Sequence, residues 1–291
     1  MVTTGTLQVP GARIYYETRG SGPVLLMLQG GEGDARRTGD LVRRLAVHYM
    51  VITYDRRGLS RSTLDDPLPG APRSLVVPTM TTHADDACHL LSALAGEPAR
   101  VFGSSMGGLV GLVLAVRHPR WVRLLVTHEP PAIGLLPAAG RAGAEEMLDG
   151  LQRTYREEGW VAAFKQLAEI TGAATEDREP DAELPPPLSR ERVANFHYFF
   201  TYDVPAIRCC ELDDETLSAT PVPIVAAVGG GTSARFFDRA CVDRLAEALG
   251  TEALEFPGGH NGPITHPRAF AERLLEVLSR PCHGGGSEML R

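Results

Sequence analysis

The chain has 291 residues, 43% of them hydrophobic and 22% charged, enough apolar material for one α/β core carrying an insertion. Its 29 Lys and Arg against 36 Asp and Glu leave a formal net charge of −7 with no basic cluster, which argues against a nucleic acid or an anionic membrane as partner. The polar first twenty residues resemble no secretory signal, no run reaches membrane-spanning length, and Cys88, Cys209, Cys210, Cys241 and Cys282 show no Cys/His ligand spacing, so the expectation is a cytoplasmic protein without a metal.

Residues 6–9 and 13–18 alternate in hydropathy about Pro10-Gly11 and predict an antiparallel hairpin. Apolar runs follow at 24–28, 50–54, 100–102 and 124–127, separated by helix-length segments at 38–47, 83–95 and 106–118, the last stopped by Pro119. Such alternation predicts crossover units and a parallel sheet covered on both faces. Residues 63–82 interrupt it as a long irregular loop.

From 131 to 220 the rhythm stops. Helical patterns at 141–158, 160–171 and 190–202 have no strand candidate between them, and the stretch reads as a helical cap. Within it, the Pro- and Glu-rich residues 176–187 read as a mobile connector, and Cys209 and Cys210 as buried apolar residues. Strand and helix patterns then resume at 224–228, 240–249, 253–256 and 267–278. The expected architecture is a mostly parallel α/β sheet of about eight strands flanked by helices. Its core is 1–130 and 221–282, its cap 131–220 follows the sixth strand, and the tail 283–291 is expected to be disordered.

Gly103-Ser104-Ser105-Met106-Gly107 is a G-x-S-x-G pentapeptide placed between an apolar strand pattern and a helix pattern, which makes Ser105 a candidate nucleophile. The sharp turn implied there strains the serine backbone and leaves no room for side chains at Gly103 and Gly107. A serine hydroxyl is a weak nucleophile until a base takes its proton, and the base needs an orienting partner. His48, His83, His89 and His118 fall in or beside helices and His266 begins the last one, whereas His260 in Gly258-Gly259-His260-Asn261 follows the last strand. His260 is therefore the candidate base, by the Ser…acid…His order. Attack on a carbonyl also needs oxyanion donors, for which the N–H of Met106 and that of Gly31 in Gln29-Gly30-Gly31-Glu32-Gly33 are the candidates.

The hairpin, Gln29-Gly30-Gly31, the run Tyr54-Asp55-Arg56-Arg57-Gly58-Leu59-Ser60-Arg61-Ser62, the elbow, His128-Glu129-Pro130-Pro131 and Gly258-Gly259-His260 together resemble the α/β-hydrolase superfamily over nearly the full length. The resemblance is especially to capped bacterial serine esterase-like members. The resemblance implies a cofactor-free serine hydrolase that cleaves a small ester, lactone or thioester through an acyl-enzyme, with a catalytic triad and an oxyanion hole. Two positions depart from the family pattern. Gln29 stands where members usually carry His, and its amide can still hydrogen-bond. The usual acid follows the strand 223–228, where this chain reads Gly229-Gly230-Gly231-Thr232-Ser233, and Thr232 cannot carry a negative charge. Loss of the carboxylate partner can cost about four orders of magnitude in rate, so a replacement is expected. Glu129 is the leading candidate, from a position where other members of the fold supply their acid, with Asp238 or a dyad lacking an acid as alternatives.

Glu32 and Asp34 are expected to face solvent or to cap the following helix, because a carboxylate turned toward the oxyanion would oppose its charge. Facing the pocket, Glu32 could instead serve a non-hydrolytic reaction as acid or base. Phe196, Tyr198, Phe199 and Trp160, with Gln29, are the expected substrate-binding residues, which suits a hydrophobic small molecule. Asp55, Arg56 and Arg57 are expected to stabilise the loop over the elbow, and the protein to act as a monomer or homodimer. Two other readings stand beside hydrolysis: a biosynthetic relative performing cyclisation, elimination or acyl transfer, and a ligand-binding protein on a retired scaffold. Retention of Ser105, His260 and both glycine-rich turns counts against retirement.

Overall fold

The computed structural model describes residues 1–65, 79–172, 177–183 and 187–280. Strands β1 (Val2–Val9) and β2 (Ala12–Arg19) form the expected hairpin, with Val9 opposite Ala12 and Gly11 at φ +77° in the two-residue turn. The chain then runs through β3 (Val24–Leu28), α1 (Gly39–Leu45), β4 (Met50–Tyr54), β5 (Thr63–Leu64), α2 (Met80–Leu94), β6 (Ala99–Ser104), α3 (Met106–Arg117) and β7 (Val122–His128). A helical insertion follows, made of α4 (Ala138–Glu158), α5 (Trp160–Ile170), α6 (Arg190–Tyr198), a π-helical turn (Phe199–Asp203), α7 (Val204–Arg208) and α8 (Asp214–Ser218). The alternation resumes with β8 (Ile224–Gly229), α9 (Phe237–Ala248), β9 (Leu254–Phe256), α10 (Gly262–Thr265) and α11 (Pro267–Leu278).

The strands form one nine-stranded sheet in the order β1-β2-β4-β3-β6-β7-β8-β9, with β5 paired to β2. From β4 to β9 every pairing is parallel. The ninth strand is the two-residue β5, too short to leave a periodic signal inside a segment that reads as irregular. In β3 all five residues are buried, and the pleat divides them: Leu26 and Leu28 pack toward α2, α3 and α9, Leu25 and Met27 toward α1 and α11. The continuous apolar run in the sequence is thus a strand covered on both faces.

Register aligns the carboxyl ends of the parallel strands. Leu28 pairs with Gly103, Ser104 with His128, His128 with Ala227 and Gly229 with Phe256. The turns after β3, β6, β7, β8 and β9 therefore emerge along one edge, where open parallel sheets bind ligands. Between β6 and α3 the backbones approach too closely for side chains: a Cβ on Gly107 would run into the Leu28 carbonyl, and one on Gly103 into that of Gly107. Gly107→Ala should accordingly destabilise the fold by about 1–3 kcal/mol, the cost of forcing backbone aside in a packed core. Gly143→Ala on open α4 surface, with nothing within 4 Å of the added carbon, should stabilise by about 0.5–1 kcal/mol. Urea unfolding of the two variants tests the opposite signs.

The expected mobile connector is pinned where it is described. Glu179 is buried, its N–H donates to Thr265 O (2.8 Å), and its carboxylate accepts from the Arg268 and Ala269 N–H groups (both 2.9 Å) in the first turn of α11. A carboxylate at a helix N-terminus satisfies donors that have no intrahelical acceptor. Cys209 is exposed rather than buried, and Cys210 is half-buried. The expected single helix 190–202 is divided, because the π-turn ends α6 at Tyr198 and leads into α7. Residues 66–78 of the long loop, 173–176 and 184–186 around the connector, and the tail 283–291 with Cys282 lie outside the described residues. Among those described, no helix is long and apolar enough to cross a membrane.

Candidate active site

Ser105 joins β6 to α3 with φ 54° and ψ −128°, a conformation an L-residue holds only when its surroundings impose it. Its N–H donates to His128 O (2.8 Å), so the turn is tied to β7. Glu129, the residue after β7, is also at positive φ (49°), and its N–H donates to Ala227 O (3.0 Å). The side chain is fully buried. Oε1 accepts from the Gly229 N–H at 2.8 Å, and Oε2 stands 2.7 Å from His260 Nδ1. Burial alone would raise the Glu129 carboxyl, but its hydrogen bond to His260 and the neighbouring His128 and His260 rings outweigh that and hold it at about 2. A carboxylate so placed fixes the imidazole with its proton on Nδ1 and leaves Nε2 unprotonated.

Asp238, in the first turn of α9, lies farther off, with Oδ2 3.9 Å from the same His260 Nδ1 and Oδ1 without a hydrogen-bond partner. Burial pushes this carboxyl well above the usual carboxylate range. Of the two candidate acids, Glu129 makes the hydrogen bond. Thr232 sits beside Glu129, where its hydroxyl lowers that carboxyl slightly without forming a hydrogen bond of normal geometry.

Ser105 and His260 line one cavity of about 180 Å³ together with Gln29, Gly30 and Gly31. Gln29 is buried and donates from Nε2 to Thr38 Oγ1 (2.9 Å). Met106 is the first residue of α3, so no carbonyl of that helix takes its N–H. Among the described residues no group of three or more His, Cys, Asp and Glu could hold a metal ion.

Residues 23–187 match the family model of the alpha/beta hydrolase fold. The chain belongs to that family. Of its relatives, the uncharacterized hydrolase YraK of Bacillus subtilis (strain 168) is 38% identical over 283 residues, covering 96% of this chain and 97% of the relative. A zearalenone hydrolase of Cladophialophora bantiana is 25% identical over 271 residues, covering 93% and 94%. A hydrolase from Pseudomonas aeruginosa PA01, known as a crystal structure, has a TM-score of 0.66 at 21% identity and covers 95% of this chain and 98% of its own.

Two of the four aromatic residues expected in the pocket of this α/β hydrolase line it, Phe196 and Phe199. Three residues apart, they share a face across the junction of α6 and the π-turn. Tyr198 points elsewhere, against Gly58 and Tyr202 (ring centroids 4.9 Å apart). Trp160 also stands outside the lining, stacked on Phe196 at 6.0 Å with the rings within 4° of parallel. It supports a lining residue instead of being one. The apolar wall also includes Leu148 and Leu151 of α4, Phe164 and Leu167 of α5, and Phe236 and Phe237. The i, i+3 spacing of the first two pairs was the available signal, though a core face would show the same period.

Glu32 lines the cavity, contrary to the expectation of a solvent-facing or helix-capping residue. It is 7% exposed, and Arg37 Nε (3.1 Å) and Arg192 Nη2 (3.0 Å) both bind its carboxylate. Both of those guanidinium groups pair with the one carboxylate, which ties the turn after β3 to α6. Asp34 is likewise buried, taken up by Arg36 and the Ser60 hydroxyl (2.8 Å).

His128, adjacent to the acid, meets Phe256 and Phe270 edge-on, and neither of its ring nitrogens has a hydrogen-bond partner. Burial pulls it from its ordinary 6.5 to about 4. The unfolded chain therefore binds a proton at this position that the fold refuses, and stability should fall as pH drops from 6.5 to 4, by about 3 kcal/mol in all. His128→Leu should flatten that limb in urea unfolding series at pH 7 and pH 4. An unchanged slope would show that His128 does not cause it.

Proposed function

We propose that this α/β hydrolase is a serine hydrolase that cleaves a small ester, lactone or thioester through an acyl-enzyme. One observation carries the reading: the 2.7 Å contact between buried Glu129 and His260, with His260 in the same cavity as the strained Ser105. Ser105 Oγ attacks the carbonyl while His260 Nε2 takes its proton, and Glu129 stabilises the imidazolium that results. The Gly31 and Met106 N–H groups donate to the oxyanion. His260 then protonates the leaving oxygen or sulfur. A water, deprotonated by the same imidazole, releases the acid and restores Ser105. Every atom is accounted for without a cofactor.

Residues 131–220 act as a cap, with Leu148, Leu151, Phe164 and Phe196 facing the substrate from above the sheet edge. That wall suits a hydrophobic acyl or alcohol part. The protein acts on this small molecule in the cytoplasm, as a monomer or homodimer, with no nucleic acid or membrane involved. Because Glu129 meets His260, the missing carboxylate at Thr232 gives no reason to prefer non-hydrolytic chemistry.

Stopped-flow mixing with p-nitrophenyl acetate and butyrate tests the reading. A burst of nitrophenol of about one equivalent per chain, and a fluorophosphonate adduct mapped to the peptide containing Ser105, are the expected results. A wild-type protein that shows neither burst nor adduct is not a serine hydrolase.

A further inference from the structure

The carbonyls of the turn that carries Gly31 converge on one guanidinium. Arg56, 2% exposed and placed just after β4, donates from Nη1 to Gly30 O (2.5 Å) and Gln29 O (3.3 Å) and from Nη2 to Gly31 O (2.9 Å). The next carbonyl, that of Glu32, accepts from Asn195 Nδ2 of α6 (3.1 Å), and Asn195 Oδ1 accepts from the Ser60 N–H (3.0 Å). Arg56 is held in turn by Asp203 Oδ2, 2.5 Å from Nη2, on the π-turn of the insertion. The Asp203 carboxylate is wholly buried, and its Oδ1 lies 3.5 Å from His83 Nε2.

Peptide planarity gives this arrangement its chemical meaning. The Gly30 carbonyl and the Gly31 N–H belong to one trans peptide unit and point in opposite directions. Fixing the carbonyl on Arg56 turns the N–H away from the guanidinium, and Gly31 lines the cavity. The Gly33 N–H also donates to the Gly30 carbonyl (2.9 Å), and the guanidinium adds a second, side-chain restraint to a glycine turn whose residues lack the steric limits a Cβ imposes.

Resting on the serine-hydrolase reading above, we propose that Arg56 and Asp203 are a positioning pair for the oxyanion donor Gly31, through which the insertion completes the catalytic site as well as covering it. Neither side chain touches substrate. Asp203 orients and neutralises Arg56, Arg56 sets the peptide plane, and the peptide plane presents the donor. A preorganised donor stabilises the oxyanion without rearranging at the moment of reaction, so the pair acts on the chemical step and leaves ground-state binding largely alone.

The test compares wild type, Asp203→Asn and the double variant Arg56→Met/Asp203→Leu. Asp203→Asn strands a buried guanidinium and is expected to weaken the fold, whereas replacing both members of a buried ion pair by apolar groups is often neutral for stability. For each protein, kcat and KM on p-nitrophenyl butyrate, thermal melting, and the affinities of a trifluoromethyl ketone and its methyl ketone analogue are measured. The trifluoromethyl ketone forms a tetrahedral oxyanion on the serine, and the methyl ketone does so far less.

In the double variant, kcat should fall about 10- to 100-fold with KM within about threefold, less than the loss on deleting a donor outright. Trifluoromethyl ketone affinity should fall by the same factor, methyl ketone affinity should hold, and melting should stay near wild type. A double variant that melts normally with kcat and trifluoromethyl ketone affinity within twofold of wild type overturns the positioning role. If the double variant does not fold, Asp203→Asn decides by the same ratio of the two ketone affinities. Absence of turnover and burst in the wild type removes the serine-hydrolase reading itself, and the positioning role with it.

Discussion

Ser105→Ala is expected to lower kcat on p-nitrophenyl esters by about six orders of magnitude, the loss seen when a triad nucleophile is removed while the oxyanion donors remain. The size follows from what the side chain does. In the proposed mechanism no acyl-enzyme forms without Oγ, and water must attack the bound ester with only the Gly31 and Met106 donors to help. The alanine must still occupy the left-handed conformation at φ 54°, which Gly103, Gly107 and the bond to His128 O impose. Binding should therefore survive, with KM changed by a small factor. Steady-state assays of freshly purified variant, with burst amplitude as a check on contaminating wild type, measure it. A residual kcat within a hundredfold of wild type would mean that Ser105 is not the nucleophile.

Glu129→Gln should cost about four orders of magnitude in kcat, whereas Asp238→Asn should cost less than tenfold. The amide is nearly isosteric and its Oε1 can still accept from the Gly229 N–H, so the geometry around Gly229 should persist. What disappears is the charge 2.7 Å from His260 Nδ1, which in the proposed mechanism stabilises the imidazolium. Asp238 stands 3.9 Å from His260 Nδ1, beyond hydrogen-bond distance, so its conversion to an amide leaves the Glu129 contact to the imidazole in place. Equal losses in the two variants, or a larger one in Asp238→Asn, would transfer the role.

The same carboxylate sets a pH dependence of stability. Its folded value of about 2 lies below its ordinary 4.5, so the stability it contributes is complete above about pH 4.5 and is lost as pH falls toward 2. The difference corresponds to about 3 kcal/mol. Glu129→Gln should lack that acid limb in urea unfolding below pH 4.5.

The elbow, the hairpin and the strand-helix alternation are legible in the sequence because each depends on neighbours a few positions apart. A G-x-S-x-G turn is steric within five residues, and a buried strand or an amphipathic helix declares itself by its own period. Of the pocket aromatics, Phe196 and Phe199 follow from helical spacing, but Tyr198 and Trp160 do not reach the cavity. Their direction depends on where α6 gives way to the π-turn and on what packs behind Phe196. The two-residue β5 and the capping of α11 by Glu179 carry no periodic signal at all.

The sequence by itself determined the family, the nucleophile candidate and the edge of the sheet at which chemistry would occur, since these rest on local sterics and on alternation. The tertiary structure alone decided which carboxylate meets His260. Asp238 is 22 positions from His260 in sequence and Glu129 is 131, yet the parallel order β7-β8-β9 brings Glu129 to 2.7 Å and leaves Asp238 at 3.9 Å. It also decided the fate of Glu32, which two arginines occupy, and the meeting of Arg56 with Asp203 across 147 positions. Charge pairs of this kind have no period to read. Their partners are chosen by which elements the buried core packs side by side, and in the low-dielectric interior a buried charge must be paired once it is there.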